Sequence, residues 1–148
     1  MKTVFDNAIR DELIYRISTL NENNTAKWGK MNMFQMLRHC VLCEEMYLGK
    51  KKYKRVFMGR LFGKIALKNL IKDERPMSRN APTSPEFRIK ETSGNIPAER
   101  KKWITLIEEY GHYSNNEFVH WFFGKMTKEQ IGYFAYKHTD HHLRQFNS

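Results

Sequence analysis

The stretch "KHTDHHLRQF", residues 137–146, gathers three of the chain's six histidines into five positions. On a helix each residue turns about 100°, so His138 and His142 stand about 40° apart on one face. That i, i+4 spacing is the one by which a helix presents two imidazoles to one metal ion. Imidazole nitrogen suits zinc, nickel, copper or iron. Two ligands need a third, and His39 in "MFQMLRHCVLC" is the candidate. His141 is about 60° from His138, so spacing leaves it open as a ligand or as a neighbour of the site. Cys43 is i+4 from His39 and leaves a second choice open. A His39, Cys43, His138, His142 cage is a closed tetrahedral zinc site and therefore structural. Three histidines alone leave positions for water and substrate, which is the catalytic arrangement. Cys40 and Cys43 also read as small buried hydrophobes, because a helical C-x-x-C lacks the βαβ context of a thioredoxin-like site.

Five segments have the pattern of helices able to position these groups. The first covers about Asp6 to Leu20, with Ile9, Leu13, Ile17 and Leu20 at helical spacing, and "NENN" breaks it. The second starts near Asn32, where Gln35 completes a capping box, and ends at Gly49. The third spans about Val56 to Lys72. It carries an apolar row (Phe57, Leu61, Ile65) and a basic row (Arg60, Lys64, Lys68, Lys72), the pattern of an amphipathic helix. A loop with four prolines follows, longer than a small domain ordinarily carries without a use for it. The fourth helix begins near Pro97 and buries Trp103, Leu106, Ile107 and Tyr110. After an aromatic link, "FVHWFFG", the fifth runs from Thr127 to about Gln145, again from a capping box (Thr127, Gln130). "WGKMNMFQ" at 28–35 and "FGKMTKEQ" at 123–130 echo one another as helix lead-ins, and each places a histidine mid-helix. No strand alternation persists, so the expected class is all-α, a helical bundle of residues 1–148 in one domain.

The chain has 148 residues and a formal charge of +10. Its length suffices for one core without disulfide or metal staples. Two cysteines cannot build a disulfide framework, and reduced thiols in a cytoplasmic protein are the simpler expectation. The N-terminal residues do not read as a signal peptide, and no run of eighteen apolar residues exists. The charge raises an anionic partner as an option.

"WGKMNMFQMLRHC", "PMSRNAPTSPEF" and "HWFFGKMTKEQIGYFAYKHTDHHLRQF", in that order, resemble the DinB-like metal-binding superfamily, most closely its DUF1569 branch. The resemblance spans nearly the whole chain, and H-x-x-H-H-x-x-Q behind an F-G-x-M-T lead-in is its most specific part. It implies a four-helix bundle of up-down-down-up topology with an extra short helix or long loop. It also implies a divalent metal ion, zinc or nickel, held by His39, His138 and His142. Superfamily members of known activity are thiol transferases, or hydrolases and isomerases that use low-molecular-weight thiols. The expected partner is therefore a small-molecule thiol or its electrophile, and a homodimer is compatible with such bundles. Trp121 stands where the resemblance leads one to expect a proline.

His141, Gln145 and His120 are then expected beside the ligands or in the pocket: His141 hydrogen-bonded to a neighbour, Gln145 orienting a ligand or, preferably, capping the helix, His120 in the aromatic link. Asp140, about 200° from His138, is expected to point away. The rival reading is a non-catalytic binding protein that uses the basic face of residues 49–72 for nucleic acid or an anionic surface. No helix-turn-helix or RNA-binding motif accompanies that charge, which makes nucleic acid the less favoured partner.

Overall fold

A computed structural model describes residues 1–148 except Pro82 and Asn116. Its helices are α1 (Asn7–Thr19), α2 (Met33–Tyr47), α3 (Phe57–Leu70), α4 (Ile96–Glu108) and α5 (Lys128–Gln145). Two-residue strands, β1 (Val119–His120) and β2 (Gly124–Lys125), pair antiparallel in the aromatic link. The chain is thus mostly helical, and the strands are too short to have been seen as an alternation in the sequence. None of the described helices is long and apolar enough to cross a membrane.

Local chemistry explains where the helices begin. The Asp6 carboxylate accepts the N–H of Ile9, and Asn95 does the same for Ala98 at the start of α4. Both expected capping boxes form, Asn32 with Gln35 and Thr127 with Gln130. The echo ahead of them is conformational as well: Gly29 and Gly124 both hold left-handed backbone, φ 82° and φ 80°, which glycine adopts without a Cβ penalty. A left-handed glycine thus stands three residues before the cap of both α2 and α5.

α1 packs on α4 and α5, and α2 packs on α4 and α5. Between them lie Leu13, Ile17, Met36, Leu37, Trp103, Ile107, Ile131 and Leu143, all buried. The long segment after α3 is fastened across the lead-in of α2. Asn32 donates to the Thr92 carbonyl at 2.7 Å and Gln35 to that of Ile89 at 3.2 Å, while Lys137 of α5 donates to Leu70 and Asp73 carbonyls. Phe87, in a 3-10 turn at Pro85–Phe87, is carried inward and buried.

α3 forms over Phe57–Leu70, close to the span that the amphipathic pattern predicts. Its apolar row does not face the core: Phe57, Leu61 and Ile65 are exposed, and Gly59, Gly63 and Leu67 are buried instead. The cause is close backbone approach. A Cβ on Gly59 or Gly63 would meet the Phe122 carbonyl oxygen at 2.5 or 2.1 Å, so only glycine lets the helix lie on the β1–β2 turn.

A core carboxyl is strongly perturbed by burial. The Glu44 carboxylate is fully buried between α2, α5 and Tyr110, accepting from Tyr110 Oη (2.5 Å) and Thr139 Oγ1 (3.1 Å). Burial outweighs both hydrogen bonds and pushes its pKa up to about 7. A carboxyl raised in the folded state favours folding fully below its unfolded value, 4.5, and that advantage is lost as pH rises toward about 7. Glu44→Gln removes the titration. Its unfolding free energy relative to the native chain should rise by about 3 kcal/mol between pH 4 and pH 8. Urea unfolding at several pH values measures it, and a pH-independent difference contradicts the assignment.

Candidate metal centre

His39 stands mid-way along α2 and His138 and His142 on the facing side of α5, all three buried. Their ring centroids lie 4.7 Å (His138–His142), 4.9 Å (His39–His142) and 5.4 Å (His39–His138) apart. One nitrogen from each can be chosen so that all three lie within 4.8 Å of one another, and the three could hold a metal ion. The helical i, i+4 pair thus meets its third member across the α2–α5 packing.

Backbone and amide groups fix two of the rings. His39 Nδ1 lies 2.9 Å from the Phe87 carbonyl, an acceptor, so Nδ1 carries the proton and the Nε2 lone pair faces inward. His142 Nδ1 lies 2.9 Å from Gln145 Oε1, while Gln145 Nε2 donates to the Trp28 carbonyl at 2.8 Å. The second bond sets the amide's orientation, so Oε1 accepts from His142 and Nε2 of that ring is likewise free. Gln145 therefore does not cap the helix end. It holds a histidine, and it does so against the left-handed turn at Gly29, where a Cβ would sit 2.8 Å from Gln145 Nε2.

His138 is the ring no neighbour orients. Its Nδ1 is buried without a hydrogen-bond partner, and its Nε2 lies 3.4 Å from His39 Nε2. With the proton on Nδ1, three inward lone pairs converge and repel unless a cation stands among them. That frustrated arrangement fits a metal ion, and neutral nitrogen donors suit zinc or nickel. Burial lowers the pKa of all three histidines; nearby His142 and His39 lower that of His138 further, and nearby His39 and His141 lower that of His142 further. Each ring is neutral near pH 7, the form that ligates.

Cys43 Sγ lies 3.7 Å from His39 Nε2 but falls outside the three-histidine group. Burial pushes its thiol, and that of Cys40, well above the usual range, so both stay protonated small hydrophobes. Asp140 points away from the histidines and pairs with Arg16 at 2.8 Å and Arg144 at 2.6 Å.

The remaining candidates separate. His141 is half-buried beside the cluster, its ring 5.1 Å from His142 and 5.6 Å from Trp28. It borders a cavity of about 400 Å³ that Trp28, Met77 and Arg79 also line, with the Arg79 guanidinium stacked over Trp28. His120 lies apart. Its Nδ1 accepts the N–H groups of Phe122 (3.1 Å) and Phe123 (3.2 Å), which shapes the β1–β2 turn around Trp121. Burial lowers its pKa to about 3, so it remains an acceptor at any ordinary pH. It reaches His138 only through Tyr47 and Phe134, whose rings pack against both histidines. Sequence reasoning missed Phe87 and Trp28. Each acts through a backbone carbonyl, which leaves no mark in residue type.

The comparison with curated proteins gives no match, nor does the comparison with solved structures. A family described as "Protein of unknown function (DUF1569)" matches residues 5–148, a span that contains both capped lead-ins, the covering loop and all three histidines. The chain therefore belongs to the DUF1569 family.

Proposed function

We propose that this chain is a cytoplasmic metal-dependent enzyme of DinB-like type. In this reading residues 1–148 form one domain, and α1, α2, α4 and α5 are its up-down-down-up bundle. His39, His138 and His142 hold a divalent ion, zinc or nickel, and the substrate is a small-molecule thiol or its electrophile. The observation that carries it is the meeting of three neutral, buried imidazoles from two helices, with ligand atoms within 4.8 Å.

Such an ion supplies Lewis acidity, which favours the deprotonated form of a thiol or water beside it. The chain does the rest. The Phe87 carbonyl and Gln145 fix the tautomers of His39 and His142, so that their Nε2 atoms are presented and not their protons. Tyr47, Phe134 and Phe87 wall the cluster with aromatic faces and keep the surroundings apolar. The cavity beside His141 is where a substrate approaches, with Arg79 there to meet an anionic group. The absence of Cys43 from the cluster favours three protein ligands, which leaves coordination open for substrate.

Elemental analysis of untagged protein tests this directly. The native chain should bind about one equivalent of zinc or nickel. His39→Ala and His138→Ala should each lose most of it, and Cys43→Ser should keep it. Metal content that ignores both histidine substitutions removes the site, whereas loss in Cys43→Ser makes it a closed structural one. Catalysis is read separately, by offering the metal-loaded protein glutathione-like, cysteine-based and sugar-linked thiols with an electrophile.

Gln145→Ala leaves every ligand in place but frees the His142 ring. Its metal dissociation constant should rise by about 10- to 100-fold, the usual cost of losing such a support. Competition with a chromophoric chelator measures it, and an unchanged constant shows that Gln145 serves only the Trp28 contact.

A further inference from the structure

Eight large hydrophobic side chains stand exposed among the described residues, and five of them lie within nine positions of α3: Phe57 (72%), Met58 (54%), Leu61 (56%), Phe62 (51%) and Ile65 (63%). A patch so concentrated marks an interaction surface, not scattered exposure. It is not a loose end of chain. Gly59 and Gly63 lie on the Phe122 backbone, Leu67 is buried, and Arg55 donates to the Gly59 and Phe122 carbonyls. The opposite side of the helix is thereby held outward.

Charge identifies what that side meets. From residue 46 to residue 72 the sequence holds nine Lys and Arg and no Asp or Glu. Lys50 and Lys51 are paired with Glu109 and Glu45, and Lys64 turns to the Lys125 carbonyl. Arg60, Lys68 and Lys72 are exposed and have no acidic partner among the described residues. At 100° per residue, Arg60 stands about 60° outside the apolar arc beside Phe57, and Lys68 falls between Phe57 and Leu61 toward the helix end. An apolar face edged by cations is the pattern of a helix that lies in the plane of a bilayer. A second copy of the chain would bring one basic edge near another with no acid on the helix to answer it. Nucleic acid would answer the cations but leave five large apolar groups against phosphate.

We propose that α3 docks this protein on an anionic lipid bilayer. The helix lies flat, Phe57, Leu61, Phe62 and Ile65 enter the headgroup–acyl boundary, and Arg60, Lys68 and Lys72 meet lipid phosphates and carboxylates. The metal centre is not involved, so this assignment stands or falls independently of the proposed enzyme.

Co-sedimentation with vesicles tests it. The native chain should pellet with phosphatidylcholine–phosphatidylserine vesicles at low salt and at least ~10-fold less with phosphatidylcholine alone. Leu61→Ser with Ile65→Ser, both exposed changes, should weaken the binding by ~10-fold or more while the circular-dichroism melt is kept. Arg60→Glu with Lys68→Glu should abolish the preference for anionic vesicles. No pelleting of the native chain at low salt overturns the proposal, as does equal pelleting of the serine variant. A native dimer in light scattering that Leu61→Ser with Ile65→Ser converts to monomer also overturns it and gives the face to a second copy. Binding of an acidic protein without any vesicle binding does so equally.

Discussion

An imidazole taken out of water is disfavoured in its charged form, and this chain takes three out of water at one point. His39, His138 and His142 are buried together, and burial is the largest influence depressing each of their pKa values. Neutral rings must still satisfy their N–H groups, and that requirement organises the surroundings. The Phe87 carbonyl answers His39, and Gln145, itself fixed by the Trp28 carbonyl, answers His142. The long segment after α3 and the left-handed turn before α2 thus have a common purpose. Each delivers one oxygen, directly or through an amide, to a histidine.

The same requirement explains the tight fit of Gly29. A side chain there would press on Gln145 Nε2, and the amide could not span from His142 to Trp28. Gly124 has the same left-handed φ ahead of α5 but a different neighbour; the Arg55 guanidinium lies closest to it. The two lead-ins share a backbone solution for starting a helix, but only one of them also supports a ligand.

Much of this was legible in the residues because it is local. A capping box needs two side chains three apart, and both boxes form where Asn32–Gln35 and Thr127–Gln130 stand. The His138–His142 face follows from helical periodicity alone. The meeting with His39 depends on α2 lying against α5; the residues marked His39 as the candidate by its mid-helix place behind a similar lead-in, and the resemblance implied the full ligand set. Gln145 was misjudged as a cap because its partner, Trp28, is 117 residues away. The outward aim of the α3 apolar row was not legible for a related reason. Periodicity shows which face of a helix is apolar but not what covers it. Two glycines, which carry no hydropathy signal, decided which side faced inward.

One structural element joins the histidine cluster to the exposed apolar face of α3. Gly59 and Gly63 of α3 rest on Phe122. The N–H groups of Phe122 and Phe123 are held by His120 Nδ1, and His120 stacks beside Tyr47 and Phe134, which also pack on His138. A histidine kept neutral by burial is suited to this place, because a protonated ring would have no lone pair for either N–H. His120 thus belongs to the wall between the histidine cluster and the outward face of α3. Its chemistry is that of an acceptor fixing a turn. Because the turn fixes α3, the exposure of Phe57, Leu61 and Ile65 follows from a buried hydrogen bond, not from a failure to pack.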